Sequence, residues 1–182
     1  MKRLSIRDTL EFGNGRMFEM EFARYLIIRG FEVDRCYDFE HRNAPMLEGE
    51  FASYRLPDLL ANRPGKSRWW ECKEKRNCTY THSLDRDEEG IDHDCWRDYC
   101  RVQEISGVPV WLAFAEWKKQ RILGQSLNRL GPPRIVPPHI AKYGKGGMVY
   151  WPCEQFVVLG GYDPKTGQLD LPFGPARKTR AA

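Results

Sequence analysis

The sequence predicts an α/β fold in which helices flank a mixed central β-sheet. Three features of the 182-residue chain indicate this fold. We expect an amphipathic helix over residues 15–30, a β-hairpin over 56–75, and a second helix over 91–106 that leads into an apolar strand over 108–115. Because strands and helices alternate along the chain, the strands are expected to share one sheet whose faces the helices cover.

The first helix is predicted by the spacing of its apolar residues. In the segment GRMFEMEFARYLIIRG, Phe18, Phe22 and Leu26 recur every four positions, which places them on one face of a helix. Gly30 is expected to end the helix, because glycine readily adopts the left-handed conformation found after a helix. Residues 31–33 are then expected to begin the first strand.

The hairpin is predicted from two short strand-like segments on either side of a turn. Residues 56–61 form one segment, 69–75 form the other, and the run Asn62-Arg63-Pro64-Gly65 is typical of a turn. Side chains alternate between the two faces of a strand. Glu71 and Lys73 therefore share one face with Trp69 and Lys75, and Trp70, Cys72 and Glu74 share the other.

A cation site is predicted on this hairpin. Asp58 shares a face of its strand with Leu56 and Leu60, and we expect that face to lie beside Glu71 and Lys73. Two neighbouring carboxylates repel unless a cation joins them, and Mg²⁺ binds carboxylate oxygens while keeping several waters. A bound metal can polarise a phosphate, and a lysine beside it can orient the attacking hydroxide. The pattern therefore indicates a Mg²⁺-dependent phosphodiesterase, with Mn²⁺ as a substitute metal.

Each of these residues also has a purely structural interpretation. Asp58 can be a turn or edge-strand residue, and residues 71–75 can be a solvated run of alternating charge. Glu19 lies in the predicted first helix, where it can be a solvated residue, and Glu21 competes with it for any functional role. Spacing alone leaves both interpretations open.

Taken together, the elements resemble the PD-(D/E)xK nuclease superfamily, and within it the archaeal-type Holliday-junction resolvases and related phage endonucleases. The matching residues are Glu19 in a helix that ends at Gly30, Pro57-Asp58, and Glu71-Cys72-Lys73. The resemblance extends over roughly residues 15–117. It implies a restriction-endonuclease-like fold and cleavage of DNA.

The resemblance also implies a role for each matching residue. Asp58 and Glu71 would hold Mg²⁺, Lys73 would position the water that attacks, and Glu19 would complete the site or hold a second metal ion. The main-chain carbonyl of Cys72 would reach the metal. The helix after the Glu-x-Lys strand would carry polar groups toward the cleft. Its candidates are Asp92, His93, Tyr99 and Gln103, although packing is an equally ordinary role for Tyr99.

Charge permits a nucleic-acid partner without demonstrating one. The formal net charge is +4 and the isoelectric point is about 8.7, a mild basic excess. Local clusters are more informative, and they predict a set of DNA-contacting side chains. These are Arg63, Lys66, Arg68, Lys75, Lys118, Lys119, Lys142 and Lys145. The alternative is that they are ordinary solubilising surface charges.

The chain is expected to fold as one nuclease-like domain, residues 1–182, with a core over about 14–160. A Pro/Gly-rich insert is predicted over 118–147, with no regular structure beyond a short helix near 124–130, and it is expected to contact the DNA backbone. Residues 77–90 are expected to be a polar surface loop. Residues 148–151 and 155–159 are expected to be strands that extend the sheet or form a closing hairpin, and 169–182 a mobile tail.

The six cysteines are not spaced like a zinc site. No signal peptide or membrane-spanning segment is expected, so we predict a cytoplasmic protein of a prokaryotic or phage-infected cell with reduced thiols. The function predicted is a metal-dependent endonuclease that acts on branched or structured DNA in recombination, repair or phage DNA processing, with a homodimer as the expected assembly. The alternatives are a non-catalytic nucleic-acid-binding module on the same fold and a phage assembly protein.

Overall fold

The computed structural model describes residues 6–36, 46–48, 52–140 and 146–170. This part of the chain contains the helices α1 (Ile6–Ile28) and α2 (His93–Ser106). Its strands are β1 (Glu32–Arg35), β2 (Met46–Glu48), β3 (Ser53–Arg55), β4 (Leu59–Arg63), β5 (Lys66–Lys75), β6 (Thr79–Thr81), β7 (Arg86–Asp92), β8 (Val110–Glu116), β9 (Arg121–Ser126), β10 (Arg134–Val136), β11 (Met148–Pro152), β12 (Val157–Tyr162) and β13 (Leu169–Asp170).

The central sheet has seven strands in the order β1-β4-β5-β8-β9-β12-β13. Strands β5 and β8 run parallel, and the other neighbours in this sheet are antiparallel. A four-stranded antiparallel sheet has the order β10-β11-β7-β6, and β2 pairs with β3. The predicted α/β class, a mixed central sheet flanked by helices, is confirmed.

Two hydrophobic cores lie on opposite faces of the central sheet. On one face, α1 places Phe22 against Trp70 of β5 and Phe18 against Tyr162 of β12. On the other face, α2 contributes Tyr99 to a core that also contains Trp69 of β5 and residues of the smaller sheet. Adjacent tryptophans of β5 therefore face opposite cores, and the predicted alternation along this strand is confirmed.

The predicted hairpin is also confirmed. Strands β4 and β5 pair antiparallel, from Leu59 opposite Trp70 to Arg63 opposite Lys66. The turn at Pro64-Gly65 places Gly65 at φ +70°, a conformation that favours glycine. Because β4 begins at Leu59, Asp58 lies just outside the paired segment.

The prediction for residues 118–147 was wrong over its first part. Residues Arg121–Ser126 form β9, an inner strand between β8 and β12, where an irregular segment was expected. Its apolar residues alternate, because Ile122 enters the core beneath α1 and Leu123 enters the core beneath α2. Gly124 leaves space for Leu159 of β12, so a side chain there would collide with it. Gly124, where the sequence predicted the start of a short helix, thus serves close packing inside the sheet.

The prediction that residues 77–90 form a surface loop was wrong as well. This segment contains β6 and β7, and Glu88 and Glu89 of β7 are fully buried. Their acidity suggested solvent exposure, but cationic side chains accompany both glutamates in the interior. Burial of a charged residue is acceptable when it is paired in this way.

Other expectations hold at the level of single elements. Helix α2 ends at Gly107, whose φ of +67° marks the left-handed residue expected there. Strand β12 extends the central sheet, whereas β11 joins the smaller one. Of the predicted tail, Leu169–Asp170 form β13, and the rest lies outside the described residues. Neither described helix has the length and apolar character needed to cross a membrane.

Candidate active site

The structure brings Asp58 to the middle of β5. The main-chain N–H of Cys72 donates a hydrogen bond to Asp58 Oδ2 at 2.8 Å. Strand β4 ends its pairing at Leu59, so this carboxylate takes the place of the strand carbonyl that would otherwise accept the N–H. A rigid strand therefore holds Asp58 beside the segment that carries Glu71 and Lys73.

Both oxygens of Glu71 have partners. The Tyr99 hydroxyl of α2 donates a hydrogen bond to Glu71 Oε2 at 2.6 Å, and Lys73 forms an ion pair with Oε1. Glu71 is 1% exposed, whereas the Lys73 side chain is 39% exposed. The Glu71 carboxylate is thus buried, and its partner Lys73 is partly exposed to solvent.

Charge in the site is incompletely balanced. Burial and the neighbouring Glu71 carboxylate raise the pKa of Asp58 well above its ordinary value, against the opposing effects of Lys73 and the Cys72 N–H. Burial alone would lower the pKa of Lys73, but the charges of Glu71 and Asp58 outweigh it and raise that pKa. Two carboxylates therefore share one ammonium group, and an added cation would relieve their repulsion.

The donor groups present suit Mg²⁺. In a strand, the N–H and C=O of one residue point to the same neighbour, so the Cys72 carbonyl is directed to the same side as the N–H that meets Asp58. Asp58, Glu71 and this carbonyl offer only hard oxygen ligands, and Mg²⁺ commonly completes such a set with water. Within the described ranges, no three His, Cys, Asp or Glu side chains are grouped closely enough to hold a metal. A site here would hold its metal through few protein ligands.

Glu19 approaches from the other face of the sheet. It is 6% exposed on α1, and its charge contributes to the raised pKa values of Asp58 and Cys72. It is therefore close enough to act electrostatically on the site. Its role as a metal ligand stays a prediction.

Among the polar residues of α2, Tyr99 reaches the site. Gln103 has a different task, because its Oε1 accepts the Val110 N–H at 3.0 Å and its Nε2 donates to Asn128. It thereby joins α2 to the start of β8. Tyr99 is thus the α2 side chain that contacts Glu71, although an aromatic residue on a helical stripe ordinarily indicates packing.

Sequence reasoning missed an arginine near this site. Arg55 of β3 donates from Nη1 to Cys95 Sγ at 2.8 Å, and its N–H donates to Asp98 Oδ2 at 3.3 Å. The charge of Glu71 contributes to the raised pKa of Cys95, after burial, so this pair lies within reach of the carboxylate. A lone arginine in a three-residue strand carries no spacing signal by which it could have been found.

The predicted DNA-contacting residues do not surround this site. Arg63, Lys66 and Arg68 lie together around the β4–β5 turn, at the other end of β5 from Lys73. The charge of Arg68 is the main cause of the lowered pKa of Lys66, which shows how close these cations are. Lys118 is exposed, and Lys142 and Lys145 lie outside the described residues.

Two of the predicted lysines are bound to carboxylates. Lys75 Nζ lies 2.8 Å from Glu89 Oε2 and donates to the Gly90 carbonyl at 2.7 Å. Lys119 Nζ lies 2.7 Å from Asp87 Oδ2. Because these ammonium groups already pair with acidic side chains, a DNA contact would compete with those ion pairs, and the role of both lysines in DNA binding stays a prediction.

Comparison with known proteins adds little. No family model matches the chain, and no curated protein matches it. Among solved structures, the chain is similar to Archaeoglobus fulgidus Hjc, a Holliday junction resolvase from an archaeal hyperthermophile. The match has 9% identity and a TM-score of 0.47, and it covers 75% of this chain and 89% of that one. A likeness this distant carries no conclusion about activity.

Proposed function

We propose that this protein is a metal-dependent nuclease that hydrolyses phosphodiester bonds in DNA. The observation that supports the proposal is the arrangement of Asp58, Glu71 and Lys73 on one hairpin. Lys73 forms an ion pair with Glu71 there, and burial and then the charge of Glu71 raise the pKa of Asp58. Such uncompensated charge is costly for a purely structural site and useful for one that binds a cation.

Each residue has a defined task in this proposal. Asp58 and Glu71 would hold Mg²⁺ together with the Cys72 carbonyl, while Glu19 supports the negative field from the opposite face. When bound, the metal would polarise the scissile phosphate and lower the pKa of a coordinated water. Lys73 orients the attacking water and offsets charge that develops on the phosphate. Tyr99 fixes the orientation of Glu71 through its hydrogen bond.

The proposed substrate is branched or otherwise structured DNA, in recombination, repair or phage DNA processing. This part of the proposal is supported by the order of motifs, in which a helix with Glu19 precedes Pro57-Asp58 and Glu71-Cys72-Lys73. Symmetric cleavage of two strands would require two sites, so we propose a homodimer as the active form.

The decisive experiment is cleavage of labelled four-way-junction, flap, duplex and single-stranded DNA with Mg²⁺ or Mn²⁺. We expect the native chain to cut at least one of these substrates. Lys73→Ala should not cut, and Lys165→Ala, which removes an exposed lysine outside the predicted DNA-contacting set, should cut normally. Circular dichroism would verify that both variants are folded. Normal cleavage by a folded Lys73→Ala variant would overturn the assignment.

A second candidate is a non-catalytic nucleic-acid-binding module on the same fold. One observation favours it: both oxygens of Glu71 are already taken by Tyr99 and Lys73, so the site is neutralised in part without a metal. Titration calorimetry with Mg²⁺ and Mn²⁺ would separate the candidates. A nuclease should show metal binding that Asp58→Asn weakens, whereas a binding module should bind DNA equally well in chelator and never cut it.

A further inference from the structure

A cavity of about 330 Å³ lies on the α1 face of the central sheet, near the β4–β5 turn. Its floor is aromatic and includes Phe22, Phe31, Trp70 and Trp111. Arg68 lines this cavity and lies on the opposite face of β5 from Glu71. The two residues are three positions apart, which separates them by roughly 10 Å along the strand. The cavity is therefore separate from the candidate active site.

Cations form the rim of this cavity. Arg63, Lys66 and Arg68 all line it, and no Asp or Glu is among its described lining residues. A neighbouring cavity of about 680 Å³ shares these three residues and adds Arg129. Burial and then the charge of Arg63 lower the pKa of Arg68, and among the described residues no ion pair joins Arg63, Lys66 or Arg68 to an acidic side chain. An anion would relieve this concentration of positive charge.

Aromatic rings hold the two arginines in place. The Arg68 guanidinium lies 4.5 Å from the centroid of Trp111, and that of Arg63 lies 4.5 Å from the centroid of Phe31. Cation–π contacts of this kind leave the edge of a guanidinium plane, with its N–H donors, available to a ligand. The arginines are thus positioned before any ligand arrives.

We propose that the cavity binds a nucleoside phosphate. The phosphate would lie on Arg63, Lys66 and Arg68, and the base would lie against the aromatic side chains that line the cavity. The volume falls at the lower end of the range for small-molecule sites, which suits a single nucleotide. The nucleotide can be free, or it can be the terminal residue of a DNA strand. The proposal does not depend on the proposed nuclease activity.

Binding of deoxyadenosine 5′-monophosphate, measured by titration calorimetry, tests the proposal. We expect it to bind at least about tenfold more tightly than deoxyadenosine or inorganic phosphate, since either alone fills half of the site. Arg68→Gln and Lys66→Gln should each weaken binding by about tenfold, because each removes a charged contact to phosphate. Arg97→Gln, which removes an exposed arginine from α2, should leave binding unchanged.

Oligonucleotides with a 5′-phosphate or a 5′-hydroxyl distinguish the source of the ligand. Tighter, Arg68-dependent binding of the phosphorylated strand identifies a strand end, and binding of the free nucleotide alone identifies a metabolite.

The proposal is wrong if the nucleotide does not bind at millimolar concentration. It is also wrong if Arg68→Gln and Arg97→Gln lose nucleotide affinity equally. Inorganic phosphate binding as tightly as the nucleotide would also overturn it, because the base would then contribute nothing. Lys73→Ala separates the proposed nucleotide binding from the proposed nuclease activity. It should abolish DNA cleavage and leave binding of the mononucleotide unchanged.

Discussion

Asp58 and Glu88 show two opposite ways in which this protein treats a carboxylate. Glu88, in the smaller sheet, is fully buried and accepts hydrogen bonds from Arg134, Arg86 and Thr81. Although burial opposes the change, these donors lower the pKa of Glu88 to about 2. Asp58, beside the central strand, faces a second carboxylate, and its pKa is raised instead.

The difference separates a structural carboxylate from one that awaits a ligand. Around Glu88 the protein supplies more positive charge than negative, so the group needs nothing from outside. Among the described residues, Lys73 is the cation that acts on Asp58, and it is already paired with Glu71. The contrast indicates where an external cation would bind, because only the second arrangement gains from one.

The largest expected effect comes from Asp58→Asn. We expect cleavage to fall by at least about 100-fold, because one of the two carboxylates proposed to bind the metal is lost. The metal-free protein should be as stable as the native chain or more so, since an asparagine oxygen can still accept the Cys72 N–H while the repulsion from Glu71 disappears. Single-turnover cleavage and thermal unfolding in EDTA measure the two effects.

A lower unfolding temperature for Asp58→Asn in EDTA would contradict this account of the site. Asp170→Asn provides a matched control, because Asp170 is an exposed carboxylate of β13. It should change neither the cleavage rate nor the unfolding temperature.

Glu88→Gln should have the opposite profile. We expect it to lower the free energy of unfolding by about 2–4 kcal/mol, because two arginines lose a buried partner. Cleavage per folded molecule should be unchanged, since Glu88 is in the other sheet. Urea unfolding monitored by tryptophan fluorescence measures the stability, and Glu104→Gln on the surface of α2 serves as the control. Unchanged stability of Glu88→Gln would mean that its arginines find other partners.

Tyr99→Phe should have an intermediate effect. It removes the hydroxyl that donates to Glu71 Oε2 and leaves a buried carboxylate oxygen without that donor. We expect a loss of about 1–2 kcal/mol in unfolding free energy and about a tenfold slower cleavage. The cleavage rate measured against pH would reveal a positioning role. If Tyr99 positions Glu71, its loss should change the pH dependence of cleavage and not only the maximal rate. Tyr54→Phe offers a control for the loss of a hydroxyl.

The smallest effect is in the dependence of stability on pH. The folded pKa of Asp58 lies above its ordinary value of 3.8, so the folded state binds the proton more tightly. The contribution of Asp58 to stability is therefore present at low pH and declines as pH rises from 3.8 through the folded pKa. Saturating Mg²⁺ should remove this decline. Unfolding free energies of the native chain and Asp58→Asn, measured over that interval, should diverge as pH rises.

Glu88 should show the reverse dependence. Its folded pKa of about 2 lies below the ordinary value of 4.5, so its contribution is complete above 4.5 and declines as pH falls toward 2. Comparison of the native chain with Glu88→Gln over this acid range isolates that contribution. A difference that does not shrink toward pH 2 would contradict the lowered pKa.

The sequence predicted the hairpin well because its signals are local. A proline–glycine turn and a two-residue alternation determine which residues of β5 face each core, and they correctly placed Glu71 and Lys73 together. The same alternation placed Trp69 and Trp70 in opposite cores. Signals of this kind depend only on neighbouring residues, so one sequence suffices to recognise them.

Prediction failed where distant partners change the meaning of a residue. Glu88 and Glu89 were predicted to be solvated because each has a cationic partner that is distant in sequence. Arg134 pairs with Glu88 and Lys75 pairs with Glu89. Gly124 was assigned to a short helix because nothing nearby in sequence indicates its close contact with Leu159. The contact of Tyr99 with Glu71 depends likewise on how α2 packs, which spacing does not determine.

The parallel pairing of β5 with β8 sets an order for folding. The β4–β5 hairpin is local and can form as soon as its turn exists. Strand β8 pairs with β5 only after the chain has passed through β6, β7 and α2, which lie between them in sequence. Such long-range closure is slow compared with hairpin formation. During synthesis, therefore, Glu71 should emerge well before the helix and strand that enclose it. The chain gains a complete site only after residue 116 has left the ribosome.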